Sequence, residues 1–70
     1  MNRQPVSSSN ISSIGYDSNS QTLEIEFHSG SVYQYYNVPE NIYVSLMNAS
    51  SHGQYFHQFI RGNYGDTQVS

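Results

Sequence analysis

The sequence predicts an α+β domain in which a three-stranded antiparallel meander is followed by two helices packed on one sheet face (βββαα). Three observations predict it. Leu23-Glu24-Ile25-Glu26-Phe27 alternates apolar and polar residues with period two, the mark of a half-buried strand. Val32 to Tyr36, just past the turn-forming Ser29-Gly30, is rich in β-branched and aromatic residues. Beyond Pro39 the apolar spacing changes to three and four, the period of a helix. Strands followed by helices, with short connections, give a meander covered on one side.

In chain order, Met1 to Ser9 is polar and lacks periodicity, with Val6 the residue able to tuck against the sheet. Residues 1–5 are expected to be a flexible terminus. Ile11 to Tyr16 reads as the first strand, with Gly15 marking a bulge or a close backbone approach. Asp17-Ser18-Asn19-Ser20-Gln21 is a turn cluster of short side chains that bond their own backbone. Thr22–Phe27 and Val32–Tyr36 are the second and third strands. Pro39 suits a first helical position, and Glu40 complements the positive helix end. Ile42, Leu46 and Ala49, flanked by Tyr43 and Met47, form the stripe of a helix over Pro39–Ala49. Ser51 is an N-cap for a second helix whose stripe is Tyr55, Phe56, Phe59 and Ile60. Gly62 stops it, and residues 65–70 read as a second flexible terminus. The folded unit is one domain over residues 6–64.

Two registers are open to the hairpin. A two-residue turn at Ser29-Gly30 pairs Phe27 with Val32 and puts Tyr33 and Tyr35 opposite Glu26 and Glu24 on the outer face. A three-residue loop, His28-Ser29-Gly30, with Gly30 as the bulge residue pairs Ile25 with Tyr33 and Leu23 with Tyr35. The bulged register is expected, because it gives a small core more apolar area per residue.

With 70 residues there is room for one domain, and no cysteine is available for a disulfide or a thiolate metal site. Aromatic packing must help a core this small, and seven tyrosines fit that role. The net charge of −3, with Arg3 and Arg61 the only cations and no lysine, argues against a phosphate-neutralising patch. No apolar run approaches the ~20 residues of a membrane span, and the N-terminus has no apolar signal core. The expectation is a soluble cytoplasmic protein without membrane association, dimeric if its sheet edges need covering.

The ordered landmarks resemble the KTSC domain family, named for the lysyl-tRNA synthetase C-terminus and also found as stand-alone bacterial and phage proteins. The matching residues begin with Ser8-Ser9-Asn10-Ile11, Ile14-Gly15-Tyr16-Asp17 and Leu23-x-Ile25-x-Phe27. Gly30-x-Val32-Tyr33-x-Tyr35 carries the central Tyr-x-Tyr, and Val38-Pro39-x-x-Ile42-Tyr43 opens the first helix. Ala49-Ser50-Ser51-x-Gly53-x-Tyr55-Phe56 and Ile60-Arg61-x-x-Tyr64 complete the set. The resemblance implies RNA or tRNA binding as one reading. Positions often basic in the family hairpin are here His28, Ser31 and Gln34, which weighs against that reading.

The candidate binding residues are Tyr33, Tyr35, Arg61, Ser50 and Ser51. Tyr33 and Tyr35 would stack unpaired bases if displayed, and are core residues in the bulged register. Arg61 would grip a phosphate or carboxylate, with Ser50 or Ser51 near a helix N-terminus, unless it pairs with Asp17, Glu40 or the last helical carbonyls. His52 and His57 are five apart and so lie on different helix faces, His28 sits at a hairpin tip, and no metal site is expected. Glu24 and Glu26 share a strand face read as solvated, and no Gly-x-Ser-x-Gly elbow marks a nucleophile. The expectation is a non-enzymatic interaction module without cofactor, binding protein or a second copy of itself, with RNA the alternative.

Overall fold

The computed structural model describes residues 1–70, and its sheet follows the chain. Strands β1 (Arg3–Pro5), β2 (Ile11–Asp17), β3 (Thr22–Phe27), β4 (Val32–Tyr35) and β5 (Asp66–Gln68) lie side by side, every neighbouring pair antiparallel. The three-stranded expectation is therefore corrected to five strands. Both segments read as flexible termini contain an edge strand. Their side chains are exposed, so nothing in them alternates; backbone pairing such as Arg3 with Gly15 and Tyr33 with Gln68 places them.

The hairpin adopts the bulged register. Leu23 pairs with Tyr35 and Ile25 with Tyr33, and Gly30 takes φ +96°. Phe27 N–H donates to Ser31 O at 2.9 Å, and Gly30 N–H donates to Phe27 O at 2.9 Å. Only a residue without Cβ enters that backbone region cheaply. Both tyrosines therefore share a face with Leu23 and Ile25, the face that the helices cover.

Helix α1 (Glu40–Asn48) starts after Pro39, whose extended backbone ends the strand region. Leu46 is its fully buried residue, while Ile42, Tyr43 and Met47 pack half-buried against the core. Tyr43 stacks on Tyr16 with centroids 4.7 Å apart, and the Tyr16 hydroxyl donates to Val38 O. Helix α2 (His52–Tyr55) opens on Ser51, whose hydroxyl accepts from Gln54 N–H at 3.2 Å. It runs on into a π-helical turn over Phe56–Ile60, closed by Arg61 N–H donating to Phe56 O at 2.9 Å. The wider turn buries Phe56 and Ile60 but swings Phe59 outward to 49% exposure, against Tyr55 at 4.7 Å. Phe59 is thus corrected from the core stripe to the surface. Ile11, Ile14, Leu23, Ile25, Tyr35, Val38, Leu46, Phe56 and Ile60 form the buried core.

The outer sheet face is not the solvated surface expected from Glu24 and Glu26. Glu24 is only 7% exposed. Its carboxylate is ion-paired with Arg3 and accepts from Gln34 Nε2 at 2.8 Å. Arg3 Nε also donates to Ser13 Oγ at 3.0 Å, and Ser13 Oγ donates to Glu26 at 2.8 Å. Gly15 lets this arm approach, since a Cβ there would lie 2.7 Å from Asn2 O. Burial alone would push the Glu24 carboxyl up, but hydrogen bonds from Gln34 and Arg3 and the Arg3 charge hold it below the ordinary value. Stability from a depressed carboxyl is present above the unfolded value and is lost as pH falls through the folded one. We expect urea midpoints to drop below about pH 4.3. Arg3→Ala should lower the midpoint at neutral pH and flatten that acid loss.

Candidate functional site: a groove between the hairpin tip and the C-terminal helix

His28 and Ser29 of the bulged loop line one groove with Phe56, His57 and Arg61 of the C-terminal helix. Two contiguous depressions result, of about 370 Å³ and 480 Å³, sharing Phe27, Ser29, Phe56 and Arg61. His28 and His57 line the first, and Tyr33, Tyr35 and Asp66 line the second. The floor is aromatic: Phe27 meets Phe56 at 5.5 Å and Tyr33 at 6.0 Å, both edge-on. Tyr35 packs edge-on against Phe56 at 5.4 Å.

Three of the sequence-derived candidates meet here. Tyr35 is 4% exposed and belongs to the core, presenting little more than its hydroxyl end. Tyr33 is half-buried, and its hydroxyl donates to Gln68 Oε1 at 3.2 Å. Arg61 is exposed and makes no ion pair; its Nη1 donates to His57 Nδ1 at 3.5 Å. The pairings considered for it with Asp17 or Glu40 do not form. Ser50 and Ser51 lie at the other end of the C-terminal helix, beside Tyr55 and Gln58, and Ser51 is occupied as the N-cap. They are not brought to Arg61.

Phe27, Phe56, His28 and His57 complete the groove and were not singled out together. His28 and His57 come from segments with no recognisable spacing. His28 is held by its backbone N–H donating to Asn10 O at 3.0 Å and by Nε2–H donating to Ser8 O at 2.8 Å.

Electrostatics are locally unlike the net charge. Glu24 and Glu26 lie on the opposite sheet face, and Asp17 and Glu40 lie near Tyr16, whose phenol is pushed up by burial and then by those two charges. Asp66 is the one carboxylate lining the groove. Burial pushes the Tyr35 phenol up to about 12, with Asp66 and Tyr33 adding and Arg61 opposing. A raised phenol contributes stability that is full below the unfolded value near 10 and is lost as pH rises through the folded one. Absorbance titration near 295 nm is expected to show a tyrosine still protonated above pH 11, with thermal stability falling between about pH 10 and about 12. No three histidine, cysteine or carboxylate side chains converge as metal ligands, and no helix is long and apolar enough to cross a membrane.

Comparison with known proteins places this architecture. The profile of the KTSC domain family matches residues 7–64. A lysine–tRNA ligase of Trichormus variabilis is 53% identical over 55 residues, covering 79% of this chain and 10% of the ligase. This chain thus spans about a tenth of the length of the ligases it matches. A protein of Stutzerimonas stutzeri is 41% identical over 61 residues, covering 87% of this chain and 86% of its own. The crystal structure of a KTSC domain protein from Yersinia pestis superposes with a TM-score of 0.96 at 43% identity, covering 99% of this chain and 97% of that one. By sequence and by structure alike, the chain belongs to the KTSC domain family.

Proposed function

We propose that the chain is a cytoplasmic, non-enzymatic interaction module that binds protein through the groove between the hairpin tip and the C-terminal helix. One observation carries this reading. Arg61 lies unpaired at the junction of two aromatic-floored depressions. Arginine beside half-buried aromatic rings is the composition of protein-binding hot spots. The groove imidazoles bond a backbone carbonyl and a guanidinium rather than a hydroxyl nucleophile or a carboxylate, which favours binding over catalysis. The edge strands β1 and β5 give a second copy a route to pair, so self-association belongs to the same reading. Affinity capture compared between wild type and Arg61→Glu, together with sedimentation over a concentration series, tests it. We expect a specifically retained partner that Arg61→Glu releases, whereas a dimer paired through the edge strands survives that substitution. A strict monomer retaining the same proteins as the variant defeats the proposal.

RNA is the second reading, favoured by the similarity to lysine–tRNA ligases. With Arg61 the only arginine in the groove, a logarithmic salt slope of only about 0.7 is expected for single strands. Titration with tRNA and single-stranded RNA at two salt concentrations checks it, and salt-insensitive or absent binding at micromolar protein removes it.

A further inference from the structure

We infer that the groove is a two-part site: its His57–Arg61 end takes an oxyanion, and its Tyr33–Asp66 end takes an uncharged or cationic group. Resting on the protein-binding reading above, this makes the selected segment one that carries an acidic group beside an aromatic or basic residue.

The first depression is lined by Ser9, Asn10, His28, Ser29, His57 and Arg61 around the Phe27–Phe56 floor, and it holds no carboxylate. Arginine can only donate, so His57 Nδ1 must accept its N–H. His57 therefore keeps Nε2–H as a free donor, and the guanidinium keeps further N–H groups unspent. A planar fork beside an imidazole donor matches an oxyanion, and arginine does this better than a point charge. At about 370 Å³, the depression is large enough for an acidic side chain.

The second depression differs in one respect that sets selectivity. Asp66 lines it together with Arg61, without forming an ion pair there. A second anion placed against Asp66 is repelled, whereas a ring over Tyr33 or a cation beside the carboxylate is not. Discrimination here comes as much from the repelled partner as from the accepted one.

The test uses the full 70-residue chain and side-chain-resolved NMR. Acetate and inorganic phosphate are the simple probes. The peptides acetyl-Glu-Tyr-Lys-amide and acetyl-Glu-Tyr-Glu-amide, with adenosine monophosphate, are the selective ones. We expect both simple anions to shift His28, His57 and Arg61 saturably, and the lysine peptide to bind about tenfold tighter than the glutamate peptide. Arg61→Gln should cost both peptides about tenfold. Asp66→Asn should erase the preference between them. Both positions are exposed, so the variants are expected to keep the wild-type dispersion of signals. Equal affinity for the two peptides, lost in Arg61→Gln, overturns the two-part site while the protein-binding reading stands. Nucleotide binding without peptide binding overturns both. Shifts with none of the probes overturn the inference and leave the protein-binding reading to the capture experiment.

Discussion

Leu46→Ala is expected to cost about 2–5 kcal/mol. Leu46 is fully buried and is the one α1 residue wholly inside the core, so its removal opens a cavity between the helix and the rest of the core cluster. A chain of this length has of order 4–10 kcal/mol in total. The substitution therefore removes a large share of it. No disulfide or metal is available to compensate. Urea denaturation followed by tyrosine fluorescence and far-ultraviolet circular dichroism measures the loss. A midpoint within experimental error of wild type would mean that α1 is not held through this residue. Val44→Ala on the exposed side of the same helix is the control, with an expected change under about 0.5 kcal/mol.

The second large effect is expected at Gly30. Nothing lies within 4 Å of a Cβ built there, so bulk is not the obstacle. The obstacle is the backbone, at φ +96°, which a β-branched residue rarely adopts. Gly30→Val should cost about 2 kcal/mol, and Gly30→Asn less, because asparagine tolerates left-handed geometry. The alternative two-residue turn would relieve the strain only by turning every side chain of one strand over, driving Tyr35 out of the core and the polar Gln34 into it. We expect the bulged register to survive in the folded fraction. Cross-strand Hα contacts between Glu24 and Gln34, a pair that does not exchange backbone hydrogen bonds, should persist while stability falls. Their replacement by contacts of the other register would show that the loop, and not the core, chooses the pairing.

The middle of the sheet and both helical regions were legible because burial writes a period into the sequence. Leu23, Ile25 and Phe27 alternate with two glutamates, and the demand for apolar area then chose between the registers. Arg3–Pro5 and Asp66–Gln68 carried no such period. Edge strands exposed along their length are held by backbone groups, which every residue has, and Pro5 in an edge position reads as a breaker. The π-helical turn was hidden for a related reason. Phe56 and Ile60 are four apart, a spacing that suits an ordinary helix equally well, and the extra residue shows only as Phe59 turned outward. Of the candidate site, Tyr33, Tyr35 and Arg61 were found from residue type. Their partners His28 and His57 were not, because they meet only after the bulged loop has been laid over the C-terminal helix. Ser50 and Ser51 carried the right chemistry at the wrong end of that helix. The burial of Glu24 was also unreadable, since it depends on an arginine 21 positions earlier folding back across the sheet.

Sheet order that repeats chain order has a kinetic corollary. The first four strands each find their partner across a short loop, so most of the sheet can zip without a long search through open chain conformations. β5 is the exception, because β4 must wait for two helical segments to settle before residues 66–68 arrive. The pairing that sets Asp66 opposite Tyr35 closes the longest loop in the sheet and is expected to form last, which would complete the groove only late in folding.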